Sequence, residues 1–228
     1  MSEQKPSCAK CEIPTKEQYC RGPKGKAPAF CSSVKYKKLG EEVFQTMSPE
    51  DREFARQAAI QEGAGYNLSS GDYSSFQPVK PRIVEIVEFA RRMHYKKIGL
   101  IFCGGVRREA GIVGQILETN GFEVVSFMCK VGRVPKSALG VKPEEQLEVN
   151  ESHETVCNPQ LQAAMANEEN VDFAVMMGLC VGHDSLVIKS LKAPVTVFAV
   201  KDRLLGHNPM AAIYLYDSYY RYLKHPLP

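Results

Sequence analysis

The sequence predicts an α/β protein: a Rossmann-like parallel sheet of four to five strands flanked by helices, preceded by a small cysteine-rich metal-binding segment. Three observations carry this. Short apolar runs alternate with helical stretches from Lys97 to Val200, the pattern of a parallel sheet covered on both faces. Cysteine and glycine punctuate that alternation where strands give way to helices. Residues 1–33 hold Cys8, Cys11, Cys20 and Cys31 with four prolines and almost no aliphatic side chains, a composition that cannot fold on an apolar core of its own.

The 228 residues allow one large domain, or one medium domain with an appendage. The division is 1–33, the cysteine-rich segment, and 34–228, a helical lead-in joined to the α/β domain. Hydrophobic residues at 44% and charged residues at 24% are those of a globular protein that needs no disulfides. A net charge of +3 is too small to argue for nucleic acid. No apolar run reaches the roughly 18 residues of a membrane span, and MSEQKPSC has no apolar signal core. A cytoplasmic chain with reduced thiols is expected. Its eight cysteines then read as metal ligands or reactive thiols rather than as disulfides.

The first segment has the spacing Cys-x2-Cys-x8-Cys-x10-Cys. Four thiolates on one metal would supply the cross-link its composition lacks, since metal binding becomes folding free energy. Nine Lys/Arg against three Glu in the first 38 residues would offset the negative charge of such a centre. The spacing differs from the ferredoxin run, so zinc and iron–sulfur both stay open.

Ser48-Pro49-Glu50-Asp51 is an N-cap, a first-turn proline and an acid three residues after the cap. The helix it starts should run to about Glu62 and stop at Gly63 and Gly65. Residues 67–77 read as a loop. Pro81 opens a helix with Ile83, Ile86, Val87 and Ala90 on one face, and His94 at its end. Strands follow over Lys97–Phe102, Phe122–Met128, Val171–Met177 and Pro194–Val200, with helices over Arg108–Thr119 and from Pro159 to about Asn167. Asn158 should cap the latter, and Asp184 or Ser185 the helix ending near Leu191. Residues 130–154 read as irregular, with at most one short helix. His207-Asn208-Pro209 should start a last helix presenting Ile213, Tyr216, Tyr219, Tyr220 and Leu223, whose tyrosines suit packing or a subunit contact.

Ligands of an open parallel sheet bind beyond the carboxyl ends of its strands. Cys103, Cys129 and Cys180 directly follow strands, and Cys157 precedes a helix whose N-terminus faces the same edge. The topology therefore predicts four cysteines on one rim. Helix N-termini favour thiolate at Cys157 and Cys180. Gly104, Gly105, Gly178 and Gly182 would let backbone amides approach a cofactor closely. Four such thiolates could hold a [4Fe–4S] cluster, and three could hold one with an open iron. Buried structural cysteines are the plainer reading.

Other candidates lie on this rim. His183 and His207 could be ligands or proton donors. Asp184 reads chiefly as a helix cap, and Cys180, His183 and Asp184 together as a catalytic set. Arg107 and Arg108 start a helix, as anion-binding residues do. Lys201 and Asp202 end the fourth strand, and Asp202 with Arg203 reads as a surface pair. Cys103-Gly104-Gly105-Val106-Arg107-Arg108 lacks the dinucleotide glycine spacing, and Cys129 stands where a ribose-binding acid belongs.

The N-terminal cysteine cluster, Phe102-Cys103-Gly104-Gly105, Cys157-Asn158-Pro159, Gly178-Leu179-Cys180-Val181-Gly182-His183-Asp184-Ser185 and the run from Val200 to Pro209 resemble a bacterial and archaeal family of predicted metal-binding proteins, domain of unknown function 1847. The resemblance covers nearly the whole chain. It implies metal binding and supplies no substrate or mechanism.

The leading expectation is a metalloprotein with an iron–sulfur cluster on Cys103, Cys129, Cys157 and Cys180. Cys8, Cys11, Cys20 and Cys31 would hold a second cluster or a zinc ion. Electron transfer, or redox or sulfur-transfer chemistry on a small molecule, would follow, with a small-molecule substrate or a redox partner protein. The alternatives are a zinc-stabilised enzyme with a Cys180 nucleophile, and a basic zinc knuckle contacting nucleic acid.

Overall fold

The computed structural model describes residues 5–67, 75–148 and 153–227. The chain divides into two units, Met1–Arg56 and Gln57–Pro228. The division places residues 34–56 with the cysteine-rich segment.

In the first unit, short 3-10 turns at Cys8–Lys10, Thr15–Glu17 and Tyr19–Arg21 bury no residue. A knuckle forms because Tyr19 N donates to Lys26 O at 2.8 Å and Lys26 N to Glu17 O at 2.7 Å. Gly25 is required there: a Cβ would run into the backbone of Gln18 and Tyr19. Helices α1 (Ser32–Lys35) and α2 (Lys37–Thr46) follow, and Leu39, Val43 and Phe44 of α2 are exposed. Helix α3 (Pro49–Ala64) starts where its sequence signals it, with Asp51 N donating to Ser48 Oγ at 3.0 Å.

The division falls within α3, and in the second unit that helix is followed by a two-residue antiparallel pair, β1 (Tyr66–Asn67) and β2 (Gln77–Pro78). Helix α4 (Arg82–Arg92) buries Ile86, Val87, Phe89 and Ala90. The sheet then builds from β3 (Lys97–Phe102), α5 (Arg107–Thr119), β4 (Glu123–Met128), α6 (Pro159–Glu168), β5 (Phe173–Leu179), α7 (His183–Ser190) and β6 (Val195–Val200). All four strands are parallel, in the order β4-β3-β5-β6. The Rossmann-like architecture and its lower strand number are thus observed.

The chain steps from β3 outward to β4, then crosses back to β5 on the other side. That reversal is a switch point, and it opens a crevice at the carboxyl ends of β3 and β5. Every residue of β5 is buried, as a central parallel strand requires. On one face Ile101, Ala174 and Met176 pack with Ala166 of α6 and Val187 of α7. On the other, Phe173 meets Phe89 of α4 and stacks on Tyr95 at 5.5 Å between ring centroids.

Three differences from the sequence reading bear on the site. β5 runs two residues further than predicted, to Leu179, because Gly178 at φ +64° forms a bulge against β6 and keeps the pairing alive. Gly182 at φ +87° is the N-cap of α7, so neither Asp184 nor Ser185 caps it. The last helix, α8, covers only Met210–Tyr214, with Pro209 rather than Asn208 at its start. Tyr216, Tyr219 and Tyr220 therefore lie beyond it, and a tyrosine face on one long helix does not form.

Candidate metal centre

Backbone hydrogen bonds bring the four rim cysteines together. Cys103 N donates to Met177 O, joining the end of β3 to β5. Asn158 N donates to Cys129 O at 2.7 Å, seating the start of α6 on the end of β4. Lys201 N donates to Leu179 O at 3.0 Å, beside Cys180. Asn158 caps α6 as its sequence predicts, accepting from Leu161 N at 3.0 Å, which fixes Cys157 just outside the first turn.

Between β4 and α6 the described residues form 3-10 turns at Lys136–Leu139 and Pro143–Glu145 and are anchored. Glu154 is buried, pairs with Lys136 at 2.7 Å, and accepts amide protons from Leu147 and Glu148. These bonds hold its carboxyl below the usual range, the lysine pairing first among them. Val156 N donates to Val134 O at 2.8 Å, so Cys157 leaves a closed loop.

Three of the sulfurs form a packed chain: Cys103 and Cys157 lie against the buried cluster that holds Cys129. Cys103 donates to Cys129, and that bond, reinforced by burial, pushes the Cys103 thiol up to about 12. Cys129, the buried member, is pulled down most by the Cys103 bond. Its own donation to Cys157 and its burial together leave it raised. Cys157 accepts from Cys129 and is lowered to about 7, against burial and the nearby Cys103 and Cys180 sulfurs. The thiolate therefore collects at the N-terminus of α6. Cys180 lies close enough to Cys157 to be felt electrostatically, without joining the chain.

Each thiol also has a compensating donor. Gly104 N donates to Cys129 Sγ at 3.3 Å. Lys130 lowers Cys157, and Lys201 lowers Cys103. A Cβ on Gly105 would sit 3.1 Å from Lys201 Nζ and 3.9 Å from Cys103 Sγ, so glycine keeps that gap open. Arg203 Nη2 donates to Cys180 Sγ at 3.0 Å. Among the described residues, no three His, Cys, Asp or Glu side chains converge at the spacing of a single-ion site.

The family model for a protein of unknown function, DUF1847, matches residues 29–198. The chain belongs to the DUF1847 family. The match includes Cys31 and all four rim cysteines of this DUF1847 chain; Cys8, Cys11 and Cys20 precede it. It is also similar to the uncharacterized protein MJ0455 of Methanocaldococcus jannaschii, 46% identical over 136 residues, which is 59% of this chain and 67% of that protein.

The remaining candidates divide. His207, at φ +67°, sets Nδ1 2.9 Å from Val200 O. The Asp202 amide also approaches Nδ1, at 3.4 Å. Its Cε1 lies 3.7 Å from where a Cβ on Gly178 would be, so the ring stands at the end of β5. His183 is the first residue of α7. Asp184 Oδ1 is occupied by the amides of Gly182 at 3.0 Å and Ser185 at 2.7 Å, and Asp202 Oδ1 by those of Leu204 and Leu205. Both acids are turn formers here rather than bases. Arg107 lines a groove with Leu100, Phe102, Gly111 and Ser126 on the α5 face. Arg203 pairs with Cys180 and not with Asp202, which corrects the surface-pair reading.

In the first unit, Cys8 Sγ is 3.0 Å from Ser32 Oγ, and that bond lowers its thiol. Cys20 Sγ lies 3.9 Å from Gln18 Oε1.

Two residues at the rim carry no motif. Lys130 directly follows Cys129. Gln162 of α6 is fully buried, and its Nε2 donates to Phe102 O at 3.1 Å and to Phe127 O at 2.7 Å. It clamps the strand ends that lead into Cys103 and Cys129. A polar side chain on the apolar face shared by Pro159, Ala163 and Ala166 was its signal in the sequence.

Proposed function

We propose that this chain is a thiolate metalloprotein with an iron–sulfur centre held by Cys103, Cys129, Cys157 and Cys180 at the switch point of the sheet. One observation carries the reading: cysteines from four separate loops gather at one rim, Cys103 and Cys157 packed against the cluster that holds Cys129, each with a cation or amide beside it. Four thiolates on a [4Fe–4S]²⁺ core leave a negative charge, and Lys130, Lys201 and Arg203 supply the opposite one. The Gly104 amide on Cys129 supplies a hydrogen bond of the kind that tunes a cluster's potential. The donor set fits the group: soft thiolates suit iron–sulfur and zinc alike. Because no three donors among the described residues converge at single-ion spacing, a polynuclear centre is favoured over a single tetrahedral ion, which would need all four sulfurs around one point.

When bound, such a centre supplies one-electron chemistry or an open iron for a small molecule. This chain's residues would orient the ligand with Arg203, with His207 at the end of β5 beside it. Cys8, Cys11, Cys20 and Cys31 would carry a second cluster or a structural zinc. A reducing cytoplasm suits both, with a redox partner protein or a small-molecule substrate.

A second reading has its own support. Cys157, lowered to about 7, is half thiolate near neutral pH. In a thiol enzyme it would be the nucleophile in place of Cys180.

Metal and sulfide analysis of the full chain purified without oxygen, with an absorption spectrum, separates the readings. Brown protein with iron and acid-labile sulfide is expected. Colourless protein holding zinc alone would turn the assignment to the thiol enzyme.

A further inference from the structure

The four rim thiols are not equivalent. Cys103 and Cys157 pack against the buried cluster that contains Cys129, whereas Cys180 stands outside it with Arg203 Nη2 at 3.0 Å. Among the described residues no carboxylate pairs with that guanidinium. Asp202 beside it and Asp184 in the Cys180 loop are both taken by backbone amides. The charge of Arg203 is therefore directed at the Cys180 position.

The loop that presents Arg203 is stiff. His207 N donates to Asp202 O at 2.9 Å, Asn208 N to Leu205 O at 3.0 Å, and His207 Nδ1 to Val200 O. These bonds fix the backbone from which Arg203 reaches Cys180. This corner is also the open side of the site: Val181 is 93% exposed and Leu204 78%, whereas Cys129 is buried.

Resting on the metal reading above, we propose that the rim is a three-plus-one centre. Cys103, Cys129 and Cys157 hold the metal. Cys180 is an exchangeable fourth ligand, displaced by a small anion that Arg203 recognises. The guanidinium fork selects a carboxylate, and a thiolate-bound metal selects a soft donor. A small molecule carrying both groups, a thiol beside a carboxylate, matches the pair. Its sulfur would take the metal position as a thiolate, its thiol proton passing to the released Cys180, and its carboxylate would take Arg203.

The test uses the metal-loaded full chain and its Cys180→Ser, Cys157→Ser and Arg203→Ala variants, with mercaptoacetate as the probe. Cys180→Ser should keep the wild-type metal content, and Cys157→Ser should lose rim metal. Mercaptoacetate should shift the absorption spectrum of wild type, with an apparent Kd raised about tenfold in Arg203→Ala, the loss of one charge-assisted contact. 2-Mercaptoethanol, which lacks the carboxylate, should bind both equally. Equal metal loss in Cys180→Ser and Cys157→Ser would overturn the three-plus-one division while leaving the metal reading standing. Unchanged mercaptoacetate affinity in Arg203→Ala would overturn the role of Arg203, and that variant changes only an exposed side chain. Wild-type protein without rim metal would overturn both readings together.

Discussion

Gln162→Ala is the most informative single change to the scaffold of the site. The side chain is fully buried and holds Phe102 O and Phe127 O through Nε2 at 3.1 and 2.7 Å. Two buried hydrogen bonds at about 0.5–1.5 kcal/mol each are lost. Truncation leaves a cavity on the order of 50 Å³, adding about 1 kcal/mol at ~24 cal/mol per Å³. A small refund comes from removing Gln162 Oε1, a buried atom with no hydrogen-bond partner among the described residues. The net loss is about 2–3 kcal/mol. At ~2–4 °C per kcal/mol for a domain of this size, the melting temperature should fall by about 4–12 °C. Gln162→Leu refills the space without the bonds and should lose less. Gln162→Glu sets a carboxylate against two carbonyl oxygens and should lose most. Thermal melts of the metal-free proteins measure the series. Alanine and leucine variants both melting within ~1 °C of wild type would show that the strand ends do not depend on this clamp.

Four further outcomes follow from the same geometry. In metal-free protein, Cys157 should be alkylated by iodoacetamide with a midpoint near pH 7, and Cys129→Ala, which removes its hydrogen-bond donor, should move that midpoint upward toward the ordinary thiol value of 9.0. Because folding favours the Cys157 thiolate, its contribution to stability is present above about pH 9 and is lost as pH falls toward 7; a pH series of melts on wild type and Cys157→Ala isolates it. Glu154 is lowered from 4.5, so its hold on the loop is intact above that pH and lost as pH falls through its folded-state value. Amide exchange at Leu147 and Glu148 should accelerate there, and already at neutral pH in Glu154→Gln. Gly178→Ala should cost about 1–2 kcal/mol for a left-handed non-glycine residue, with more added because its Cβ would lie 3.1 Å from Val106; a loss below ~0.5 kcal/mol by urea unfolding would contradict the bulge.

Much of the site was legible because it depends on topology. Alternation fixes that strands are parallel, parallel strands fix which ends share an edge, and Cys103, Cys129 and Cys180 follow strand ends in the sequence itself. Asn158-Pro159 is a local signal, so the Cys157 position was readable too. What the sequence hid depends on side-chain reach or on pairing across the sheet. Arg203 looked like the partner of its neighbour Asp202, but Asp202 is used within its own turn, which frees the guanidinium for a thiol on another strand. The bulge at Gly178 arises from register against β6, which no local pattern reports. The last helix was over-extended because the tyrosine run beyond Tyr214 has helical spacing but buries too little to hold the helix together. Gln162 announced itself only as a polar residue on an apolar face.

The central claim is that the rim cysteines form one metal centre, and Cys129→Ser tests it most directly. Cys129 is the buried middle of the thiol chain, and serine there removes a ligand with little change of shape. Iron content and the visible spectrum, measured on wild type and variant purified side by side without oxygen, give the result. A [4Fe–4S] rim centre predicts that the variant loses about four irons per chain and the matching absorption. Equal iron in the two proteins, or a wild type with none, would contradict the claim.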